Sequence, residues 1–265
     1  MTASPRVWHY GLMAERWGEF IRDAPELPFF RSAVERHGEP VLDLACGAGR
    51  LLLPLLGAGL DVDGCDLSQD MLDQCRKAAV AAGLTPTLSA QPMHDFSLPR
   101  RYRTIYICDS FGLAGSRGQD LATLRRCHEH LADGGALLLT IDAEYTDAES
   151  WDQWLPAARK AMPEPWPEDG RRRVASDGSE HLARFRFVEV DPLEQTYTRE
   201  VQLEKWRDAT LVESQTYRLR GNMYLKSEVL LMLRVAGFQS IGVQGDYTDD
   251  PATADSDKLV FTAIR

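Results

Sequence analysis

The stretch that decides the fold of this chain is VLDLACGAGR, residues 41–50. Its first part, Val41–Ala45, is a short apolar run of the kind that forms a buried strand. Gly47 and Gly49 follow at once, and glycine lets the backbone turn tightly and approach a ligand closely. An apolar helical pattern then covers residues 50–56. Because a helix N-terminus favours negative charge, this strand, turn and helix predict a site for a nucleotide-like ligand.

Strand-like and helix-like segments alternate along the chain beyond this turn. Ser68 has the position of an N-cap before one helical segment, and Gly83 ends that segment. Strands that alternate with helices pair in parallel through right-handed crossovers, which predicts a doubly wound α/β sheet. The predicted strands of this region are 41–45, 62–65, 85–90, 103–108 and 136–141, and the predicted helices are 50–56, 68–82 and 120–131.

The pattern changes after Asp142. Residues 151–167 are rich in Trp and Pro, and residues 181–224 are strand-like with short turns between the strands. Short connections predict antiparallel pairing, so we expect an antiparallel sheet inserted after the fifth core strand. The basic run Arg171–Arg173 is interpreted as a solvated loop. The core resumes with a predicted helix over 227–236 and predicted strands over 241–243 and 259–264.

The first 40 residues predict two helices, Gly11–Arg22 and Phe30–His37, with a break around Pro25 and Pro28. The chain therefore divides into three predicted parts. These are an N-terminal helical cap (1–40), a ligand-binding core (41–145 and 226–265) and an inserted antiparallel β lid over the substrate (146–225).

Composition excludes several partners. The formal net charge is −10, and an acidic chain is a poor partner for nucleic acid or an anionic membrane surface. No apolar run reaches the roughly 18 residues that span a bilayer, and the start lacks a signal-peptide core, so we expect a cytoplasmic protein. The five cysteines form no C-x-x-C pair, which predicts small buried thiols and no metal site.

The glycine turn alone is compatible with two ligand classes. A dinucleotide fingerprint requires a third Gly or Ala at the position of Leu52, and a dehydrogenase first strand is usually apolar where this chain has Asp43. Both departures disfavour a nicotinamide oxidoreductase.

Several segments together resemble the class I S-adenosylmethionine-dependent methyltransferases. VLDLACGAGR is similar to motif I of that family, and DVDGCDLS is similar to its second strand, which ends in an acidic residue, here Asp66. LADGGALLLTID resembles the late loop and fifth strand, and AGFQSIGVQGDY with LVFTAIR resembles the closing helix and hairpin. The resemblance implies a Rossmann-like seven-stranded mixed sheet of order 3-2-1-4-5-7-6 with an inserted antiparallel β-sheet lid. It also implies S-adenosyl-L-methionine as cofactor and S-adenosyl-L-homocysteine as product.

The resemblance further implies which residues bind the cofactor. Asp66 would accept hydrogen bonds from both ribose hydroxyls, for which an acceptor-only carboxylate is suited. The family often has an Asp after the third strand that binds the adenine amino group, but this chain has Pro92 there. The Met93 backbone, Gln91 or Asp95 are the alternatives for that contact. The full set of cofactor-binding candidates is Tyr10, Asp43, Ala45, Cys46, Gly47, Gly49, Asp66, Leu67, Met71, Gln91, Met93 and Asp109.

Methyl transfer from a sulfonium needs alignment more than acid–base chemistry, and a base is needed only for a protonated nucleophile. His9 lies in a segment that could fold over the cofactor. Other candidates follow the fourth and fifth strands, at whose carboxyl ends ligands bind in such sheets. The catalytic candidates are His9, Asp109, Asp142 and Tyr145.

All six tryptophans lie outside residues 18–150, in the predicted cap and lid. They indicate either an aromatic lining for an organic substrate or a small core within the insert. The sequence thus predicts methyl transfer to an N or O atom of a small molecule by a monomer or homodimer. The alternatives are a protein or tRNA methyltransferase and a non-catalytic regulatory partner that binds the cofactor.

Overall fold

The computed structural model of the chain describes residues 9–113, 115–143, 145–146 and 151–265. Residues 1–8 of the predicted cap, which include Trp8, lie outside these ranges. The described helices are α1 (Leu12–Phe20), α2 (Leu27–His37), α3 (Leu52–Gly57), α4 (Gln69–Ala81), α5 (Arg117–His130), α6 (Pro156–Lys160) and α7 (Lys226–Val235). The strands are β1 (Val41–Leu44), β2 (Val62–Asp66), β3 (Thr87–Ala90), β4 (Tyr102–Ile107), β5 (Leu131–Asp142), β6 (Arg171–Val174), β7 (Glu180–Asp191), β8 (Thr196–Arg207), β9 (Thr210–Asn222), β10 (Ser240–Gly245) and β11 (Lys258–Ile264).

Seven strands form the central sheet in the order β10-β11-β5-β4-β1-β2-β3. The five strands from β1 to β5 pair in parallel, and β11 pairs antiparallel with both β5 and β10. This is the predicted order 3-2-1-4-5-7-6, with β10 and β11 as its sixth and seventh strands. The predicted Rossmann-like fold class is confirmed.

Helices cover both faces of the central sheet. Phe30 of α2 and Leu52 and Leu55 of α3 pack with side chains of one face, whereas Leu124 of α5 and Leu233 of α7 pack on the other. The strands β1 and β4 are almost fully buried between these layers, as their near-continuous apolar runs require. No described helix has the length and apolar character needed to cross a membrane.

The inserted segment forms its own antiparallel sheet in the order β6-β7-β8-β9. The interpretation of Arg171–Arg173 as a solvated loop is wrong, because these residues form β6 and pair with β7. An edge strand is held by backbone hydrogen bonds, so its charged side chains stay in water and leave no apolar pattern to detect. The boundaries of the three predicted parts stay predictions.

Two local predictions need correction. The predicted break between the first two helices lies at residues 21–26, but α2 begins at Leu27 and not at Phe30. Pro28 lies in its first turn, where a missing N–H removes no helical hydrogen bond. The helix predicted from Asp120 begins at Arg117, since Ser116 and Gln119 form a reciprocal capping box. By contrast, the predicted N-cap Ser68 accepts a hydrogen bond from the Met71 backbone.

The segment before and within α1 joins the two sheets. The Gly11 backbone N–H donates to Asp70 Oδ2 of α4 across 2.7 Å. The Met13 backbone N–H donates to the Tyr217 hydroxyl of β9 across 2.9 Å. Leu12 and Met13 also pack into the apolar side of the inserted sheet. The insert therefore lies beside the carboxyl ends of the core strands, where it can enclose a ligand.

Candidate active site

Asp66 ends β2, and its carboxylate is fixed by two backbone donors. The Gly47 N–H donates to Oδ2 across 2.9 Å, and the Ser68 N–H donates to Oδ1 across 2.8 Å. Burial raises the pKa of Asp66 above its ordinary value, and these two hydrogen bonds oppose that change. Each oxygen keeps a lone pair for a ligand hydroxyl.

The glycine turn has the shape of a cradle for a ligand. Gly47 and Gly49 have φ values of 54° and 85°, in the left-handed region that favours glycine. A Cβ atom on Gly47 would lie 3.0 Å from Met71 Cε, and one on Gly49 would lie 2.7 Å from Cys75 Sγ. Ala45, with φ 71°, adopts the same region despite its side chain, which is typical of strained backbone at a functional site.

A cavity opens beside this turn at the carboxyl ends of β1, β2 and β4. Five predicted site residues lie around it: His9, Ala45, Asp66, Leu67 and Met93. The other lining residues are Ser68, Pro92, His94, Ser110, Leu113, Gly115, Gln119, Asp120 and Thr123. This is the crevice at which ligands bind in open α/β sheets, and we call it the donor cavity.

Other predicted residues do not line the donor cavity. The Gln91 amide is used within its own loop, where it donates to Ser89 Oγ and accepts from the Ser97 N–H. Asp95 forms an ion pair with Arg126. Of the three alternatives for the adenine contact, only Met93 lines the cavity. The remaining candidates of the turn and its surroundings are likewise outside the lining: Tyr10, Asp43, Cys46, Gly47, Gly49 and Met71.

Asp43 is buried on β1, opposite Tyr106 of β4 in the strand pairing. Burial raises the pKa of Asp43 to about 7, and the nearby Asp66 carboxylate contributes to the rise. The Tyr106 hydroxyl is buried too, and its interaction with the Asp43 carboxylate partly opposes this rise of the pKa.

The sequence did not single out the first turn of α5. The side-chain nitrogen of Gln119 lies 3.2 Å from His94 Nε2. Asp120 is 3 % exposed and accepts hydrogen bonds from Asn222 Nδ2 at 2.7 Å and the Tyr224 hydroxyl at 2.6 Å. The Ser116-x-x-Gln119 capping box was the one sequence signal for a helix N-terminus here.

A second cavity lies between the ends of β4 and β5 and the inserted sheet. It is lined by Asp109, Phe111, Leu113, Thr140, Ile141, Asp142, Tyr197, Asn222, Met223 and Tyr224. Leu113 lines both cavities, and Asp120 of the donor cavity bonds two side chains of the second. We call it the acceptor cavity.

Lys258 joins two carboxylates of the acceptor cavity. Its Nζ lies 2.9 Å from Asp109 Oδ1 and 2.6 Å from Asp142 Oδ1. The Tyr247 hydroxyl also donates to Asp109, across 3.0 Å. Although burial opposes ionisation, Lys258 and the other donors lower the pKa of Asp109. A carboxylate stabilised in its charged form is a weak base, so these contacts fit charge recognition better than proton removal.

The remaining catalytic candidates have different surroundings. His9 lines the donor cavity, its ring packs edge-on against Trp17 at 4.5 Å, and burial lowers its pKa to about 4. Tyr145 is 40 % exposed and lines neither cavity. None of the described tryptophans lines either cavity, so the structure does not support the predicted lining by tryptophan. The aromatic residues of the acceptor cavity are Phe111, Tyr197 and Tyr224.

The sheet order is that of the class I, Rossmann-like S-adenosylmethionine-dependent methyltransferases. Residues 41–135 match a family model described as a methyltransferase domain. The protein is therefore a methyltransferase enzyme, and its cofactor is S-adenosylmethionine.

Several known proteins similar to this chain are methyltransferases. A cypemycin N-terminal methyltransferase of Streptomyces sp is 25% identical over 229 residues, which cover 86% of this chain and 84% of that protein. A dTDP-3-amino-3,6-dideoxy-alpha-D-glucopyranose N,N-dimethyltransferase of Streptomyces fradiae is 33% identical over 146 residues, or 50% of this chain and 54% of that protein. The solved structure of a sugar N-methyltransferase from Streptoalloteichus sp has a TM-score of 0.66 and 19% identity, with 100% of this chain and 98% of that chain covered.

Proposed function

We propose that this enzyme transfers a methyl group to a nitrogen atom of a small organic amine by in-line displacement. The observation that carries the proposal is the adjacency of two cavities, one at the Asp66 carboxylate and one lined by the carboxylates of Asp109 and Asp142. They share Leu113, so a donor and an acceptor bound in them would meet at the ends of β4 and β5.

The chain's own residues would hold the cofactor as follows. Asp66 would accept hydrogen bonds from the two ribose hydroxyls, and Leu67 and Met93 would pack beside the adenine. Gly47 and Gly49, with Ala45 and Cys46, let the backbone pass close to the methionine part. Tyr10, Asp43 and Met71 would support these cofactor-binding residues. The cofactor supplies a methyl group already activated on a sulfonium, so the chain needs mainly to align and desolvate the reactants.

Charge favours an amine as acceptor. An amine arrives largely as an ammonium ion, and the acceptor cavity presents two carboxylates to it. Asp109 pairs with Lys258 and, at 3.9 Å, with Arg50, whereas Asp142 pairs with Lys258. An amine also needs no strong base, because its neutral fraction is a nucleophile. The Streptomyces fradiae and Streptoalloteichus relatives are N-methyltransferases by name, which supports the same choice.

Transfer to oxygen is the second candidate. A hydroxyl acceptor needs a base, and His9 is a neutral side chain that lines the donor cavity at pH 7. Its lowered pKa makes it a poor proton acceptor, which disfavours this route. Asp109 is disfavoured as a base for the same reason, and Tyr145 by its exposure.

The other predicted alternatives have less support. A tRNA acceptor requires a cationic surface, and the net charge of −10 opposes it. A regulatory partner that binds the cofactor without turnover would have no need of a second cavity beside the donor cavity. The cytoplasmic location and the monomer or homodimer stay predictions.

A panel assay tests the proposal through release of S-adenosylhomocysteine. The panel pairs small amines, including amino sugars, with the alcohols that have oxygen in place of nitrogen. We expect turnover with at least one amine and more than tenfold less with its alcohol. Asp66→Ala, which removes the ribose acceptor, should abolish turnover. Release above background from alcohols alone, or from no member of a broad panel, would refute nitrogen transfer.

A further inference from the structure

Arg199 lies on the side of β8 that faces the core domain. Val201 and Leu203 of the same strand pack against Leu12 and Met13 of α1. Tyr197 lines the acceptor cavity. Because alternate residues of a strand share a face, Arg199 lies between these two regions, on the same face as both.

Two aromatic rings enclose the Arg199 guanidinium. Its central carbon lies 4.4 Å from the centre of the Phe187 ring and 4.9 Å from that of Tyr197. Phe187 is directly opposite Arg199 in the strand pairing. Aromatic faces hold a guanidinium plane in place while leaving its edge, which carries the N–H donors, available to a ligand.

The Nε–H of Arg199 is buried and has no hydrogen-bond partner in the described ranges. Other arginines of the inserted sheet have carboxylate partners: Arg184 pairs with Glu204 at 2.8 Å, and Arg186 pairs with Glu200 at 2.6 Å. An unsatisfied buried donor is unfavourable and calls for an explanation. A ligand that accepts from Arg199 provides one.

We infer that Arg199 binds an anionic group of the methyl acceptor. The group is a carboxylate or a phosphate, since both present paired oxygens that match the guanidinium donors. This inference rests on the proposed function. It adds that the acceptor is dipolar, with its amine near Asp109 and Asp142 and its anionic group near Tyr197 and Arg199.

The charges around the acceptor cavity agree with this arrangement. The carboxylates of Asp109 and Asp142 lie at the ends of the core strands β4 and β5. Arg199 lies on β8 of the inserted sheet, with its guanidinium against the ring of Tyr197, which lines the cavity. An acceptor oriented by opposite charges at its two ends would be bound in one direction only, which fixes the nucleophile relative to the methyl donor.

The experiment measures anion binding by the full chain saturated with S-adenosylhomocysteine. Pyrophosphate and malonate are titrated calorimetrically at constant ionic strength, so that general screening does not differ between samples. The variants are Arg199→Met and, as a matched control, Arg218→Met. Arg218 is exposed on β9, and its register partner Glu200 is on the face opposite to Arg199.

We expect at least one anion to bind, with binding weakened tenfold or more by Arg199→Met and less than twofold by Arg218→Met. Preference for pyrophosphate would assign a phosphate group to the acceptor, and preference for malonate a carboxylate. Binding of neither anion, or equal binding by Arg199→Met and wild type, overturns the inference.

Affinity for S-adenosylhomocysteine separates this inference from the proposed function. Wild type that fails to bind S-adenosylhomocysteine would refute the proposed donor cavity, whatever the anions do. If Arg199→Met loses affinity for S-adenosylhomocysteine, the anion titrations are made with Arg199→Lys instead. The lysine keeps the positive charge and loses only the planar donor edge. Arg199→Lys should still weaken anion binding severalfold, and unchanged binding would again overturn the inference.

Discussion

The Gly47 N–H donates to Asp66 Oδ2 across 2.9 Å, which joins the glycine turn after β1 to the end of β2. The turn is thereby held at the position where its backbone lines a ligand cradle. One carboxylate thus positions the turn and also faces the donor cavity. Loss of Asp66 would therefore affect both the shape of the turn and the contacts to the ligand.

Asp66→Ala should weaken binding of S-adenosylhomocysteine by about a hundredfold or more. Two hydrogen bonds to a charged acceptor contribute about 1.5–3 kcal/mol each, and 1.4 kcal/mol is a factor of ten in Kd. Calorimetric titration measures the change. Asp73→Ala is the control, since Asp73 is exposed on α4 and pairs only with surface groups. Wild-type affinity in Asp66→Ala would contradict the proposed ribose contact.

Gly49→Ala should lower the free energy of unfolding more than Gly59→Ala does. Both glycines have φ near 85–88°, so both variants meet similar backbone strain of about 1–2 kcal/mol. Only at Gly49 would the new Cβ also meet atoms, with Cys75 Sγ at 2.7 Å and Leu53 Cγ at 2.8 Å. Overpacking adds about 1–3 kcal/mol. Urea unfolding tests this, and equal losses would show that the space around Gly49 adjusts freely.

Asp43 should make the protein less stable as pH rises. Its pKa of about 7 in the folded chain lies above its ordinary value, so the folded state retains a proton that the unfolded state has lost. The stabilisation is complete below about pH 4 and is lost as pH rises to about 7, by about 1.4 kcal/mol per unit within that window. Asp43→Asn should have a flatter profile in urea unfolding at pH 5 and pH 8. Parallel profiles of the two proteins would count against the raised pKa.

His9→Gln should leave the pH dependence of amine methylation in place. Because His9 has a pKa of about 4, it is neutral throughout pH 6–8, and the acid limb of kcat/KM should follow the ionisation of the amine. Rate measurements with two amines of different basicity distinguish the cases. The limb should move with the amine and not with the variant. A limb that shifts in His9→Gln would indicate that His9 removes the proton.

The core of the fold could be predicted from the sequence because its signals are local. β1 is a buried apolar run, and Ser68 precedes the periodic pattern of α4. The edge strand β6 was missed because Arg171–Val174 is exposed along its whole length. Pairing of β6 with β7 depends on backbone hydrogen bonds made in the folded chain, so the charged side chains of β6 give no sequence pattern that would predict it.

The candidate site also contains residues that local sequence motifs predict and residues that only tertiary packing brings together. Gly47 and Asp66 belong to short motifs, so their meeting could be expected from a parallel sheet. Asp120 and Arg199 come from distant segments. Asp120 lines the donor cavity through the packing of α5, and Arg199 of β8 lies against Tyr197, which lines the acceptor cavity. Their residue types alone gave no reason to choose them among the many aspartates and arginines of the chain.

The inserted sheet has a hydrogen-bond ladder of its own, separate from that of the central sheet. Tyr197 and Asn222 of this ladder line the acceptor cavity, while Asp66 and Gly47 belong to the core. Mutation at Tyr197 of β8 can thus alter which molecule is modified without touching the donor cavity, whereas Asn222 of β9 also holds Asp120 of that cavity. Such a chain is well placed to diversify over evolution, because new products require changes in one module only.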